Sequence, residues 1–139
     1  MELIDVYFRK LCTKYTGEGD LAHDDPIAVD FDLIDEWAWR CGVPIRSLLD
    51  EFAIRLAGEF SVDELSFELC DAVVNDLFGV CTHQRLGDFP PLFWEVYEAF
   101  DAGEFHRTPD QSDDPVANHT VPMIEEFLKK RERSSCRKM

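Results

Sequence analysis

The sequence predicts an all-α fold: a compact bundle of five or six mostly antiparallel helices, with an acidic loop before the last helix. Three observations predict it. Apolar residues recur at helical spacing in six separate stretches. Cap and turn residues punctuate those stretches, and the connections are short enough to favour antiparallel neighbours. Alternating runs bounded by a hairpin turn are missing; Val80 to Thr82 is the one short piece that could be extended.

Segment one spans about Glu2 to Thr16, with Ile4, Phe8, Leu11 and Tyr15 on one face and Gly17 as its terminator. A loop holding Asp20, Asp24, Asp25 and Pro26 follows. Segment two starts at Asp30 or Asp32, either of which can cap free amides. Phe31, Ile34, Trp37, Ala38 and Cys41 share its inner face, and Gly42 stops it. Pro44 opens segment three, where a missing N–H costs nothing. Ile45, Leu48, Leu49, Phe52, Leu56 and Phe60 form its buried stripe.

Segment four is read from a capping-box spacing, Ser61 to Glu64, and runs to about Phe78 before Gly79. Its apolar residues cover more than half the circumference, which predicts the central helix of the bundle. The polar remainder is a ridge of Glu64, Glu68, Asp71 and Asn75. Asp76 lies near the apolar arc and needs a partner if buried. Residues 80–89 connect to segment five, Pro90 to Ala102, which Gly103 ends. A polar loop, 104–119, precedes segment six, which Thr120 and Pro122 begin and which fades into a basic tail. The division is therefore one helical domain over 1–131 and a basic, disordered tail over 132–139.

Length and composition suit a single self-sufficient core. The chain has 139 residues, 45% hydrophobic and with eleven Phe, which argues against disorder. The net charge of −15 is unevenly placed. Residues 1–128 carry 28 acids against 8 bases, a net of −20, and Lys129, Lys130, Arg131, Arg133, Arg137 and Lys138 return part of it. Such a body repels nucleic acid and anionic lipid and attracts cationic partners. Solubility alone is the competing reason for the charge. No run of about 18 apolar residues spans a membrane, and the N-terminus lacks a secretory pattern. The five Cys are odd in number and widely spaced; Cys12, Cys41 and Cys70 fall in apolar helical patterns and read as small hydrophobes in a reducing compartment, so the cytoplasm is the expected location.

Catalytic and metal chemistry find little support. His23, His83, His106 and His119 are far apart in sequence, and no CxxC or HExxH pattern occurs. His106 and His119 flank the acids Asp110, Asp113 and Asp114; a solvated loop is the plainer reading. Cys81 precedes His83 by two residues, but a nucleophile needs an aimed base and an orienting third group. No phosphate-binding or dinucleotide fingerprint occurs, so neither cofactor nor metal is expected.

The informative oddity is indole on the polar face. On a helical wheel Trp37 joins the apolar side, whereas Trp39 projects among Asp32, Asp35 and Glu36. Trp94 likewise points toward Glu98 and Asp101. Tryptophan is enriched at binding hot spots, and neighbouring carboxylates suit a basic surface. Packing against another segment of the chain is the competing reading for each indole. The expectation is an acidic, non-enzymatic inhibitor or neutraliser that occludes a cationic site on a basic protein, with no direct nucleic-acid or membrane binding. An immunity protein against a bacterial toxin domain is the type that fits, by analogy of size, charge and class; the chain holds no family motif. A nucleic-acid mimic or adaptor is the second reading. A small enzyme using Cys81 or the His106–His119 loop is the third.

Overall fold

A computed structural model describes residues 3–16 and 29–137, with side chains described as far as Glu132. The predicted Gly17 terminator, the Asp20–Pro26 loop, His23, and the side chains of Arg133, Cys136, Arg137 and Lys138 lie outside the described residues. Among the described residues there are six α-helices and no strand: α1 (Leu3–Thr16), α2 (Phe31–Cys41), α3 (Ile45–Ser61), α4 (Phe67–Cys81), α5 (Pro91–Ala102) and α6 (Val121–Arg137). A π-helical turn, Val116–Thr120, leads directly into α6. The all-α bundle predicted from periodicity is the observed architecture.

Local chemistry sets most of the ends. Asp30 caps α2, its carboxylate accepting the Leu33 N–H at 2.9 Å. Gly42 closes that helix in the left-handed conformation, φ 71°, where a side chain would be strained. Pro44 then precedes Ile45 at the start of α3, as expected. Ser66 caps α4 by accepting the Leu69 N–H at 3.1 Å.

Three boundaries differ from the sequence reading. Ser61 does not open α4; it is the last residue of α3, and its hydroxyl donates back to the Gly58 carbonyl at 2.7 Å. Asp63 then turns the chain at φ 61°, which displaces the helix start to Phe67. At the other end α4 runs through Gly79 to Cys81, so Val80 and Cys81 are helical, not extended. Finally, the last helical stretch begins before Thr120. Asp114 accepts the Ala117 N–H at 3.1 Å and starts the π-turn. Pro122, lacking an N–H, cannot bond back to Asn118, and the wider turn absorbs that gap. The helical backbone of α6 continues to Arg137, into the stretch read as a basic tail.

The helix at the centre is α3, not α4. It packs against each of the other five helices, whereas α4 meets α1, α2, α3 and α5. Small residues explain this. Ala53 and Ala57 are wholly buried beside Leu48, Leu49, Phe52 and Leu56, so neighbours can approach α3 closely along a broad face. One core draws residues from all six helices, among them Phe8, Ile34, Phe52, Leu77, Phe93, Phe100 and Ile124.

Cross-helix contacts fix directions. Asp50 reaches the start of α5 and Phe60 packs on Phe100, so α3 and α5 run parallel. Helix α4 returns against α5, with Phe67 near Phe100 and Phe78 on Tyr97. Helix α6 also runs back along α5, from the Thr120 hydroxyl on the Ala99 carbonyl to Lys130 on Glu95. Asp76, expected to need a partner, accepts the Tyr15 hydroxyl at 2.6 Å.

Candidate functional site

Helix α2 turns its apolar face inward and leaves one large apolar side chain outside. Trp37 packs on Tyr7 and Phe52, with ring centroids 5.3 Å and 6.4 Å away. Trp39, two residues on, is 80% exposed. Its indole lines an open groove of 440 Å³ together with Asp32, Asp35, Glu36, Ala38, Val43, Pro44 and Ile45. The Gly42 turn creates this groove, because it folds the start of α3 back beside the end of α2. The groove thus has an aliphatic floor, an indole wall and three carboxylates.

Two of those carboxylates have loose partners. Arg40 lies 3.5 Å from Glu36 and Arg85 lies 3.9 Å from Asp35; all four side chains are about half exposed. Exposed pairs of this kind are worth less than about 1 kcal/mol and exchange readily. Arg85 also sits over the Phe31 ring at 4.9 Å, and the His83 ring stacks on Phe31 at 4.2 Å. These contacts pin the 82–90 connector onto α2.

Trp94, Glu98 and Asp101 occupy the exposed ridge of α5. Helix α3 packs against both α2 and α5, and the two tryptophans serve different helices rather than one cluster. Trp94 differs from Trp39 in degree. It is 37% exposed and belongs to a group of rings with Phe89 at 5.0 Å, Tyr97 at 5.5 Å and Phe78 at 6.4 Å. Helical periodicity placed its backbone correctly on the polar side. It could not show that Phe78 and Phe89 arrive from α4 and the connector. Beside that ridge, Glu95, Glu98, Met123, Glu126, Phe127 and Lys130 line a smaller groove of 270 Å³.

Negative charge is concentrated at one end of the bundle. The end of α3, the start of α4, the end of α5 and the loop before the π-turn meet there. Residues 59–71 and 101–114 bring ten acids against a single Arg107. The strain shows at Asp71, whose carboxyl is pushed up to about 7 by burial and then by the hydrogen bond to, and charge of, Glu104, with Asp101 adding to it. Asn75 donates to Glu104 Oε2 at 2.9 Å. Asp71 Oδ1 is buried without a hydrogen-bond partner, which favours the uncharged form of this carboxyl beside Glu104.

Cys81 and the histidines considered for chemistry are engaged locally. Cys81 is buried at the end of α4, and burial pushes its thiol up to about 12. His83 is committed to Phe31, and its Nδ1 accepts the Arg85 N–H at 3.2 Å. His106 Nδ1 lies 2.9 Å from Asp113 Oδ1. The same carboxylate accepts the Arg107 N–H at 2.8 Å and the Thr108 hydroxyl at 3.0 Å. The Arg107 amide first, then His106 and Thr108, hold Asp113 far below its ordinary value. That is the internal bonding of a self-contained loop. His119 lies in the π-turn, whereas the His106 ring bonds to Asp113. Among the described residues no three His, Cys, Asp or Glu side chains are grouped to hold a metal ion. No described helix is long and apolar enough to cross a membrane. Comparison with protein-family models, with curated proteins and with solved structures found no match to this chain.

Proposed function

We propose that this chain is an acidic protein-binding neutraliser, of the kind that occludes a cationic site on a basic partner such as a toxin domain. One observation carries the reading: Trp39 stands 80% exposed over a groove edged by Asp32, Asp35 and Glu36. An indole left in water is a reserve of binding energy, because burying it returns several kilocalories of hydrophobic and dispersion contact. The surrounding carboxylates select what may bury it. A basic surface can exchange the weak Arg40 and Arg85 pairs for its own cations and stack a guanidinium on the ring. An active site that binds phosphate is basic for its own reasons, so an acidic cover fits one well. Free thiols suit a reducing compartment, and we place the protein in the cytoplasm, acting without a cofactor.

The test is affinity capture from native cell extract at low salt, run in parallel with wild-type protein and Trp39→Ala. A basic protein retained by the wild type and lost from the variant supports the reading. Equal retention by both removes the groove from the interface.

A further inference from the structure

We propose that the aromatic face shared by α4 and α5 is a second docking surface, shaped for an arginine-bearing segment of a partner protein. It does not depend on the Trp39 groove, which lies on α2 and the start of α3.

The face is a row of four rings. Phe89 lies 5.0 Å from Trp94, Trp94 lies 5.5 Å from Tyr97, and Tyr97 stacks on Phe78 at 4.6 Å. Phe89 and Trp94 are each more than a third exposed, and Phe78 and Tyr97 are half-buried beneath them. Phe89 and Trp94 stay partly in solvent although Phe93, Val96, Ala99 and Phe100 already fill the inner side of α5.

Charge says what covers the row. Asp101 lies one helical turn beyond Tyr97, and Glu104 and Asp71 follow at the acidic end. All three carboxylates act on Tyr97; burial first, then Asp101, Glu104 and Asp71, raise its hydroxyl. Among the described residues no cation pairs with Asp101 or Glu104, and Glu104 instead faces Asp71. Arg46 touches the opposite edge only, reaching the Phe89 carbonyl at 3.4 Å. The row therefore joins the exposed rings of Phe89 and Trp94 to the carboxylates of Asp101 and Glu104. Arginine fits both halves, because a planar guanidinium stacks on an aromatic face and bonds a carboxylate through two N–H groups. Lysine offers a point charge and no plane. An acidic or purely apolar segment would leave the carboxylates repelled or buried without a partner.

The test reads the three indole N–H signals of the ¹⁵N-labelled full chain by NMR, with capped hexa-arginine and hexa-lysine peptides as probes. Buried Trp37 is the internal control. The expected result is a saturable shift of the Trp94 signal, with arginine binding several-fold tighter than lysine. Asp101→Asn with Glu104→Gln should weaken it about tenfold. The charge-matched control Asp63→Asn with Glu64→Gln, on the α3–α4 turn, should leave it unchanged. A Trp94 signal that stays still, or equal losses in the two double variants, overturns the proposal. So does a Trp94 shift that follows protein concentration without peptide, which would make a second copy the occupant. The Trp39 signal reports separately: movement there alone keeps the groove reading and removes this one.

Discussion

The carboxylate of Asp50 accepts the backbone N–H of Phe93 at 2.9 Å and that of Leu92 at 3.1 Å. An acid in the middle of one helix thus caps another. Helix α5 begins at Pro90 and Pro91, neither of which offers a capping side chain, and α3 supplies the missing acceptor. Burial raises the Asp50 carboxyl even though both amides stabilise its charge. Removing the acceptor leaves two amides unpaired in a half-buried setting. Asp50→Ala should cost about 2 kcal/mol, the upper range for a lost cap, while Asp50→Asn keeps an acceptor and costs less. Denaturant unfolding measures both; equal losses would show that the cap does not contribute.

Asp71 and Glu104 give the fold a pH dependence with a definite sign. The folded value for Asp71, about 7, lies above the ordinary carboxyl value. The native state therefore holds a proton that the unfolded chain releases. That contribution is complete below about pH 4 and is lost as pH rises toward 7. Asp71→Asn supplies a permanent donor to Glu104 and should remove this slope. At pH 8 the variant should be more stable than wild type by about 1 kcal/mol or more, the worth of one pK unit. At pH 4 the advantage should vanish. Melting curves at the two pH values check it; a constant difference would contradict the raised Asp71 carboxyl.

Two glycines of similar appearance in sequence should respond oppositely to alanine. At Gly103 an added Cβ would overlap the Thr120 hydroxyl and come within 2.9 Å of the Phe67 ring. Thr120 is fully buried and holds the Ala99 carbonyl at 2.7 Å, so it cannot move aside. Gly103→Ala should destabilise by about 1–3 kcal/mol. At Gly79, inside α4, a Cβ meets nothing within 4 Å. Gly79→Ala should stabilise by about 0.5–1 kcal/mol through helix propensity.

The two tryptophans of α2 should separate stability from binding. Trp37→Ala removes a buried ring from between Tyr7 and Phe52 and should cost about 3–5 kcal/mol. Trp39→Ala should change stability by no more than about 0.5 kcal/mol. A large drop in melting temperature for Trp39→Ala would mean that the exposed ring is structural after all.

What was legible in the sequence follows the range of each interaction. The Asp30 cap and the Gly42 stop of α2 were readable because both act within three or four residues. The exposure of Trp39 was readable from the helical period, since among the described residues no other helix covers its ring. The Ser61–Glu64 spacing misled for the converse reason. A capping box describes what a serine can do, and here Ser61 is still bonded within α3 while Asp63 takes the turn. Trp94 was half legible: its position on α5 was right, but ring neighbours from Phe78 and Phe89 were invisible to a single-helix argument. The Asp50 cap and the Asp71–Glu104 pair join residues 43 and 33 positions apart, and no local pattern encodes them. The hub position of α3 was missed because a wide apolar arc was read as centrality, and the arc of one helix does not show how many neighbours it meets.

In the proposed docking mode the α2 groove meets a positive surface through Trp39. The association rate of the captured partner across ionic strength decides it, for wild type, Trp39→Ala and Asp32→Asn with Glu36→Gln. Steered encounter predicts a wild-type on-rate that falls about tenfold or more between low and high salt. The acid variant should start lower and lose much of that slope. Trp39→Ala should keep the on-rate and dissociate about 30-fold faster, as a hot-spot anchor worth 2 kcal/mol does. An on-rate indifferent to salt, with dissociation unchanged in Trp39→Ala, would contradict the account.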